Sequence, residues 1–250
     1  MIDDPLELIR TLVGVTALAA VATAALWAFG VPHRFAPVYA IARGAGQLAF
    51  VAAVLTGVIA DVRWVALVLV VMFGVAVWTA SLRVGRGVGT TVMVGASMFF
   101  GIGIALAIVF VSGAIEPTPR YALALGGIVI GGGMTVAGLA GRRFTEIVDD
   151  RWTEVEGWLA LGATMRQATL GHARLAVRAA LIPSLDQTKT TGLVTLPGAF
   201  VGAIFGGLSP IEAGRFQVVV LAAIMAAGSI TAVVLAIGLG RLRVRPVPQE

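Results

Sequence analysis

The chain has 250 residues, of which 58% are hydrophobic and 12% charged, about half the charged share of an ordinary soluble domain. A polar shell that thin cannot cover so much apolar surface, so a soluble enzyme, a nucleic-acid-binding module and a disordered segment are excluded. The net charge of +5 is carried almost wholly by arginine, with Lys189 the single lysine; there is no cysteine, hence no disulfide and no thiolate site.

The predicted fold is all-α: a polytopic membrane protein forming one integral domain over residues 1–250. Seven apolar helices are expected, at 12–29, 38–60, 62–82, 88–115, 121–139, 192–208 and 216–239, allowing about 20 residues per crossing. The chain opens Met1-Ile2-Asp3-Asp4-Pro5-Leu6-Glu7, acidic where a secretory signal is basic, so the first run is expected to be a retained span. The second carries Arg43 and Gln47 four residues apart, placed either to line a pathway or to brace the helix. The third follows a short turn at Asp61, and the fourth is long enough to tilt. The fifth is rich in glycine. A polar stretch, 141–191, is expected to lie in the cytoplasm before a short sixth span that contains Pro197. Continuous apolar runs exclude the alternating pattern of a membrane barrel.

Charge sets the expected orientation. With the N-terminus outside, Arg10, Arg63, Arg120 and Arg215 lie outside and the other fourteen of the eighteen cations inside, as the positive-inside rule favours. A re-entrant sixth segment would carry the C-terminus outside and leave the weaker split of twelve to six. The expectation is therefore N-out and C-in, multi-pass in the plasma membrane. No Asp, Glu, Lys or His lies deep in any expected span, and His33 and His172 both fall in cytoplasmic segments. A proton relay or an intramembrane general base is thus missing. Nor does a G-x-x-x-x-G-K-[ST] loop surround Lys189. No catalytic residue, metal site or cofactor is expected in this chain, and uphill transport would draw its energy from another polypeptide.

Within the polar stretch, Trp152, Val155, Leu159 and Gly162 recur at helical spacing beside Glu154 and Glu156. Such a helix either docks in a groove on a cytoplasmic partner or lies at the interface, anchored by Trp152 and Trp158. His172 reads as a solvated surface histidine, and Arg174 and Arg178 as contacts to lipid phosphate or solvent. Further along, Gly127 and Gly131 stand in G-x-x-x-G register beside Gly132 and Met134, and Gly198, Gly202 and Gly206 repeat at intervals of four. These stripes allow close helix packing. Alternatively, Leu196-Pro197-Gly198 breaks a helix at depth and exposes backbone groups to a transport pathway.

Three runs carry a resemblance: Glu156-Gly157-Trp158-Leu159-Ala160-Leu161-Gly162-Ala163-Thr164, Gly192-Leu193-Val194-Thr195-Leu196-Pro197-Gly198, and Gly206-Gly207-Leu208-Ser209-Pro210 with Ala213, Phe216 and Gln217 beyond. Their order and spacing resemble the FetB/YbbM-type permeases, membrane subunits of a small ABC transporter family associated with iron export, with plant relatives linked to aluminium tolerance. The resemblance spans the chain from about the second helix to the seventh. It implies a cytoplasmic ABC ATPase that binds ATP and Mg, a permease homodimer in the lipid bilayer, and no nucleic acid. It also implies that Glu154, Glu156, Leu159, Ala160, Leu161, Gly162 and Ala163 form a coupling helix seated in the ATPase. Two motifs depart from the family pattern. Gly132 stands where an asparagine is usual, and Ala199-Phe200-Val201-Gly202-Ala203 replaces a run bearing hydroxyl and amide groups. Those losses remove the oxygen donors a hard cation prefers. Export of an apolar or organic solute is therefore the alternative to metal export, and a non-transporting membrane scaffold is the rival from another class.

Overall fold

The computed structural model describes residues 5–58, 61–85 and 87–241. The acidic opening through Asp4, the end of the second expected span at Ala60, and Arg86, Arg243 and Arg245 of the charge count lie outside the described residues. Among those described, the chain is helical with no strand, and its one β-bridge joins Thr191 to Thr195. Two compact units result, Met1–Ala60 and Asp61–Glu250.

The first unit is a helical hairpin of α1 (Pro5–Ala28) and α2 (Ala36–Val58). Its turn uses left-handed backbone at Gly30 and His33, and the Arg34 guanidinium stacks 5.5 Å from the centre of the Phe35 ring. Arg43 and Gln47 are both exposed on α2.

The second unit contains α3 (Val62–Val84), α4 (Val88–Val111), α5 (Pro119–Asp150), α6 (Trp152–Ala160), α7 (Met165–Thr190), α8 (Gly198–Phe205) and α9 (Pro210–Leu239). The caps are written in the sequence. Asp61 accepts from the Arg63 amide at the start of α3, Thr118 does the same for Tyr121 ahead of Pro119, and Ser209 with Glu212 forms a capping box ahead of α9. Helix α5 is the hub, packed against α3, α4, α7 and α9. Met98, Leu125, Val129, Val220 and Leu235 are sealed in the core around it.

Close approaches fix the register. Gly126 meets Leu69 and Gly141 meets Val84, so α3 and α5 run parallel; Gly101 meets Ala227 and Thr231 while Gly238 meets Met93, so α4 and α9 run antiparallel. A side chain at Gly101 would overlap the Thr231 hydroxyl and the Ala227 carbonyl, and that missing side chain lets the Thr231 hydroxyl reach the Ser97 carbonyl at 3.4 Å.

Among the described residues, five helices are long and apolar enough to cross a bilayer: Leu6–Ala28, Val62–Val84, Val88–Val111, Pro119–Asp150 and Pro210–Leu239. The fold departs from the expected spans in two places. The sixth, expected at 192–208, is only the eight-residue helix α8, about 12 Å long at 1.5 Å per residue against a hydrocarbon core of about 30 Å. The cause is local: Gly192 takes φ +88°, its amide donates to the Thr195 carbonyl at 2.8 Å, and Pro197 is extended just before the helix. Pro197 therefore starts a helix rather than kinking one, and its carbonyl accepts from the Val201 amide.

The second departure concerns the polar stretch 141–191. Its first ten residues prolong α5 to Asp150, and α7 packs along α5 and α9. Thr169 lies against Gly240 and Leu181 against Gly228, so α7 runs antiparallel to α9. Because Ala227, beside Gly228, abuts Gly101 in the middle of α4, Leu181 sits level with the middle of an apolar helix. The face that α7 buries is built of small residues, Ala168, Thr169, Ala173, Ala176 and Ala180, around His172. Its low mean apolarity hides that face from a hydropathy reading.

Candidate functional site

The residues proposed for coupling fall on a short hairpin. Helix α6 ends at Ala160, and the chain then closes a Schellman turn: the Gly162 amide donates to the Leu159 carbonyl and the Ala163 amide to the Trp158 carbonyl, at 2.9 and 3.0 Å. Gly162 takes φ +89°, the left-handed backbone that costs a residue with a Cβ roughly 1–2 kcal/mol. Thr164 follows at once as the N-cap of α7, in a capping box with Gln167. The run Leu161-Gly162-Ala163-Thr164 is thus a rigid corner, and the helix expected through Ala163 stops three residues earlier.

The hairpin has two unlike faces. Val155 is buried, and Trp152 and Leu159 pack against the core, so part of the apolar stripe read from sequence seats α6 on its own bundle. Gly162, the fourth member, lies in the turn. The outward face presents Trp158 and Leu161, 52% and 82% exposed, beside exposed Glu154, Glu156 and Ala160. A shallow hollow of about 370 Å³ is lined by Trp158, Leu161, Gly162, Ala163 and Gln167. Glu156 is held by the Trp152 indole N–H at 2.7 Å.

Sequence reasoning missed the residue that joins α6 to α7. His172, expected to be solvated, is 3% exposed, because the α7 face that carries it is turned inward. Its Nε2 lies 3.5 Å from Glu154 Oε2, while Nδ1 has no partner among the described residues. The available signal was spacing: Ala168, His172, Ala176 and Ala180 repeat every four residues, the mark of a packed small-residue face.

Within the second unit, the proposed pathway residues do not converge. In α5, Gly127 faces Met72 of α3 and Gly132 faces Ile224 of α9, while nothing approaches within 4 Å of a side chain built at Gly131. Met134 packs on the core. Leu196, Gly198, Gly202 and Gly206 are exposed and Pro197 half-buried, and neither Gly198 nor Gly202 meets a neighbouring helix. Arg43 and Gln47 belong to the other unit. Among the described residues, no three His, Asp or Glu side chains gather where a metal ion could be held. Among the described residues, buried polar side chains are few: Ser81 on α3, Ser97 and Thr231 between α4 and α9, Thr145, Thr169 and His172 toward the α6 end, and Gln217 near the start of α9, its Oε1 unsatisfied.

Residues 9–242 match the model of a family described as Uncharacterised protein family (UPF0014). The chain is 34% identical to the UPF0014 membrane protein STAR2 of Oryza sativa subsp. japonica, over 88% of this chain and 78% of the relative. Against the protein ALUMINUM SENSITIVE 3 of Arabidopsis thaliana it is 33% identical, over 78% of this chain and 72% of the relative. Against the probable iron export permease protein FetB of Escherichia coli (strain K12) it is 36% identical, over 54% of this chain and 52% of that protein. No solved structure matches the chain. With nearly its whole length matched by one family model, this chain is a multi-pass membrane protein that belongs to the UPF0014 family.

Proposed function

We propose that this chain is the membrane-spanning permease subunit of an ATP-driven ABC exporter in the plasma membrane. It works as a homodimer with a separate cytoplasmic ATPase, which holds the ATP and Mg. The α6–α7 corner carries this reading. A helix locked to its own bundle through Val155, and presenting Trp158 and Leu161 outward, has the two faces a lever needs. Burial of an exposed aromatic and a neighbouring leucine in a partner groove is the usual helix-in-groove anchor.

The topology that suits this role keeps seven crossings with the N-terminus outside and the C-terminus inside, and makes α7 rather than α8 the sixth. Arg34, Arg83, Arg86, Arg142, Arg143, Arg151, Arg166, Arg241, Arg243 and Arg245 then lie inside. Arg10, Arg63, Arg120, Lys189 and Arg215 lie outside, and Arg43, Arg174 and Arg178 lie within the bilayer. The balance still favours the α6 end as the inner one. ATP binding draws the two ATPase subunits together, pushes on α6, and tilts α5 and α7, which meet it at either end. The half-helix α8 and the turn before it form the outer gate.

Metal export is the reading that the name of the Escherichia coli relative supports. Export of an apolar or organic solute is supported by Ala199, Phe200, Val201, Gly202 and Ala203 on α8, which offer no side-chain oxygen or nitrogen. The test is reconstitution in liposomes with the ATPase. Stimulated ATP hydrolysis that falls to the basal rate in Trp158→Asp and Leu161→Asp variants supports the coupling role. Concentrative flux by the chain alone, or stimulation indifferent to both changes, overturns it, and saturable ATP-dependent metal flux removes the organic-solute reading.

A further inference from the structure

Arginine is expensive beside apolar helices, and where it occurs there it faces a partner of opposite charge or a water-filled space. Helix α7 carries Arg166, Arg174 and Arg178 on one side of a groove of about 490 Å³ between α7 and the last turns of α9. Among the described residues no carboxylate lines this groove, and no ion pair involves these three arginines. Apart from Thr169, whose hydroxyl donates to the Met165 carbonyl, the rest of the lining is apolar, with Val177 and Leu181 from α7 and Val233 and Ile237 from α9.

Position along the helix decides what such a groove receives. Thr169 is level with Gly240, at the end of α9, so Arg174 and Arg178 stand about 7.5 and 13.5 Å inward from it at 1.5 Å per residue. Side chains of an α-helix lean toward its N-terminus. In α7 that is the end where α9 stops, so both guanidinium groups reach back toward the membrane surface with their stems along the apolar wall. Cationic groups staged toward the headgroup level above an apolar floor match an amphiphile. A small hydrophilic anion would satisfy the arginines and leave the floor facing water.

We infer that this groove binds an anionic phospholipid, with its phosphate between Arg174 and Arg178, one turn apart, Arg166 about 12 Å nearer the end of the groove, and its acyl chains along the Val177, Leu181, Val233 and Ile237 wall. Basic pockets between membrane helices take acidic headgroups by the same chemistry. The site is independent of the transported solute and of the ATPase. It seats a lipid on α7, the helix that follows the exposed α6 corner, so occupancy restrains that corner.

The experiment is native mass spectrometry of the full chain from micelles containing equal phosphatidylglycerol and phosphatidylcholine. The wild-type chain is expected to retain phosphatidylglycerol selectively, and R174Q/R178Q to reduce that retention roughly tenfold or more, from the attraction of two basic residues for an acidic headgroup. R143Q, which loses only an exposed pair with Glu146, leaves retention unchanged. V233W keeps every arginine but fills the floor, and is expected to lose the lipid too, so the test survives if the arginine variant fails to fold. Equal retention of both lipids, or full retention in V233W or in a folded R174Q/R178Q, overturns the assignment. So does equal thermal stabilisation by inorganic phosphate without lipid, which would mark a small-anion site.

Discussion

At Gly162 a single backbone angle decides the shape of the inner corner. With φ at +89°, Gly162→Ala is expected to cost roughly 1–2 kcal/mol, lowering the thermal midpoint in detergent, although nothing lies within 4 Å of the new methyl. Gly101 tests the opposite cause. Its backbone is ordinary, but a methyl there collides with Thr231 and the Ala227 carbonyl, so Gly101→Ala is expected to destabilise by about 1–3 kcal/mol through overpacking. Gly131→Ala is the control: the space is open, and replacing a helical glycine gains up to about 1 kcal/mol. Thermal unfolding of the three variants side by side separates backbone strain from steric fit. Composition marked all three glycines alike. The backbone angle sets Gly162 apart and the neighbours set Gly101 apart.

At the scale of elements, the caps were readable and the boundaries were not. The Thr164 and Gln167 pair is a capping-box pattern, and it does start α7 at Met165; the apolar stripe through Gly162 had extended the preceding helix too far. Thr164→Ala is expected to lose about 1 kcal/mol of stability and to loosen the α6–α7 corner, seen as faster amide exchange over 161–168. The span placed at 192–208 failed for a different reason. Its apolar residues are enough in number for a crossing, but Gly192 and Pro197 make the backbone turn before a helix can extend. Conversely α7, with its arginines and a proline inside the helix at Pro183, looks polar on average and still buries a continuous face against α5 and α9. Burial of His172 beside Glu154 follows from that packing and could not come from composition.

For the whole molecule, the strongest check is topological, and the absence of cysteine makes it direct. Single cysteines at exposed Thr153 and exposed Gln187, at opposite ends of the α6–α7 segment, are expected to react with a membrane-impermeant maleimide from opposite faces of the cell membrane. Labelling of both from one face would mean that α7 does not cross. The same pair of variants reports orientation: Thr153 is expected to label only in inverted vesicles.

Membrane residence, an all-helical fold and the family were determined by the sequence alone, because hydropathy and motif spacing are properties of short stretches read one at a time. The tertiary structure decided that 192–208 is a half-helix, that α7 lies along the apolar helices and buries His172, and that three arginines share a groove with α9. Those outcomes depend on which faces fit together, and the fit of small residues against a neighbouring helix leaves almost no trace in an average over one segment.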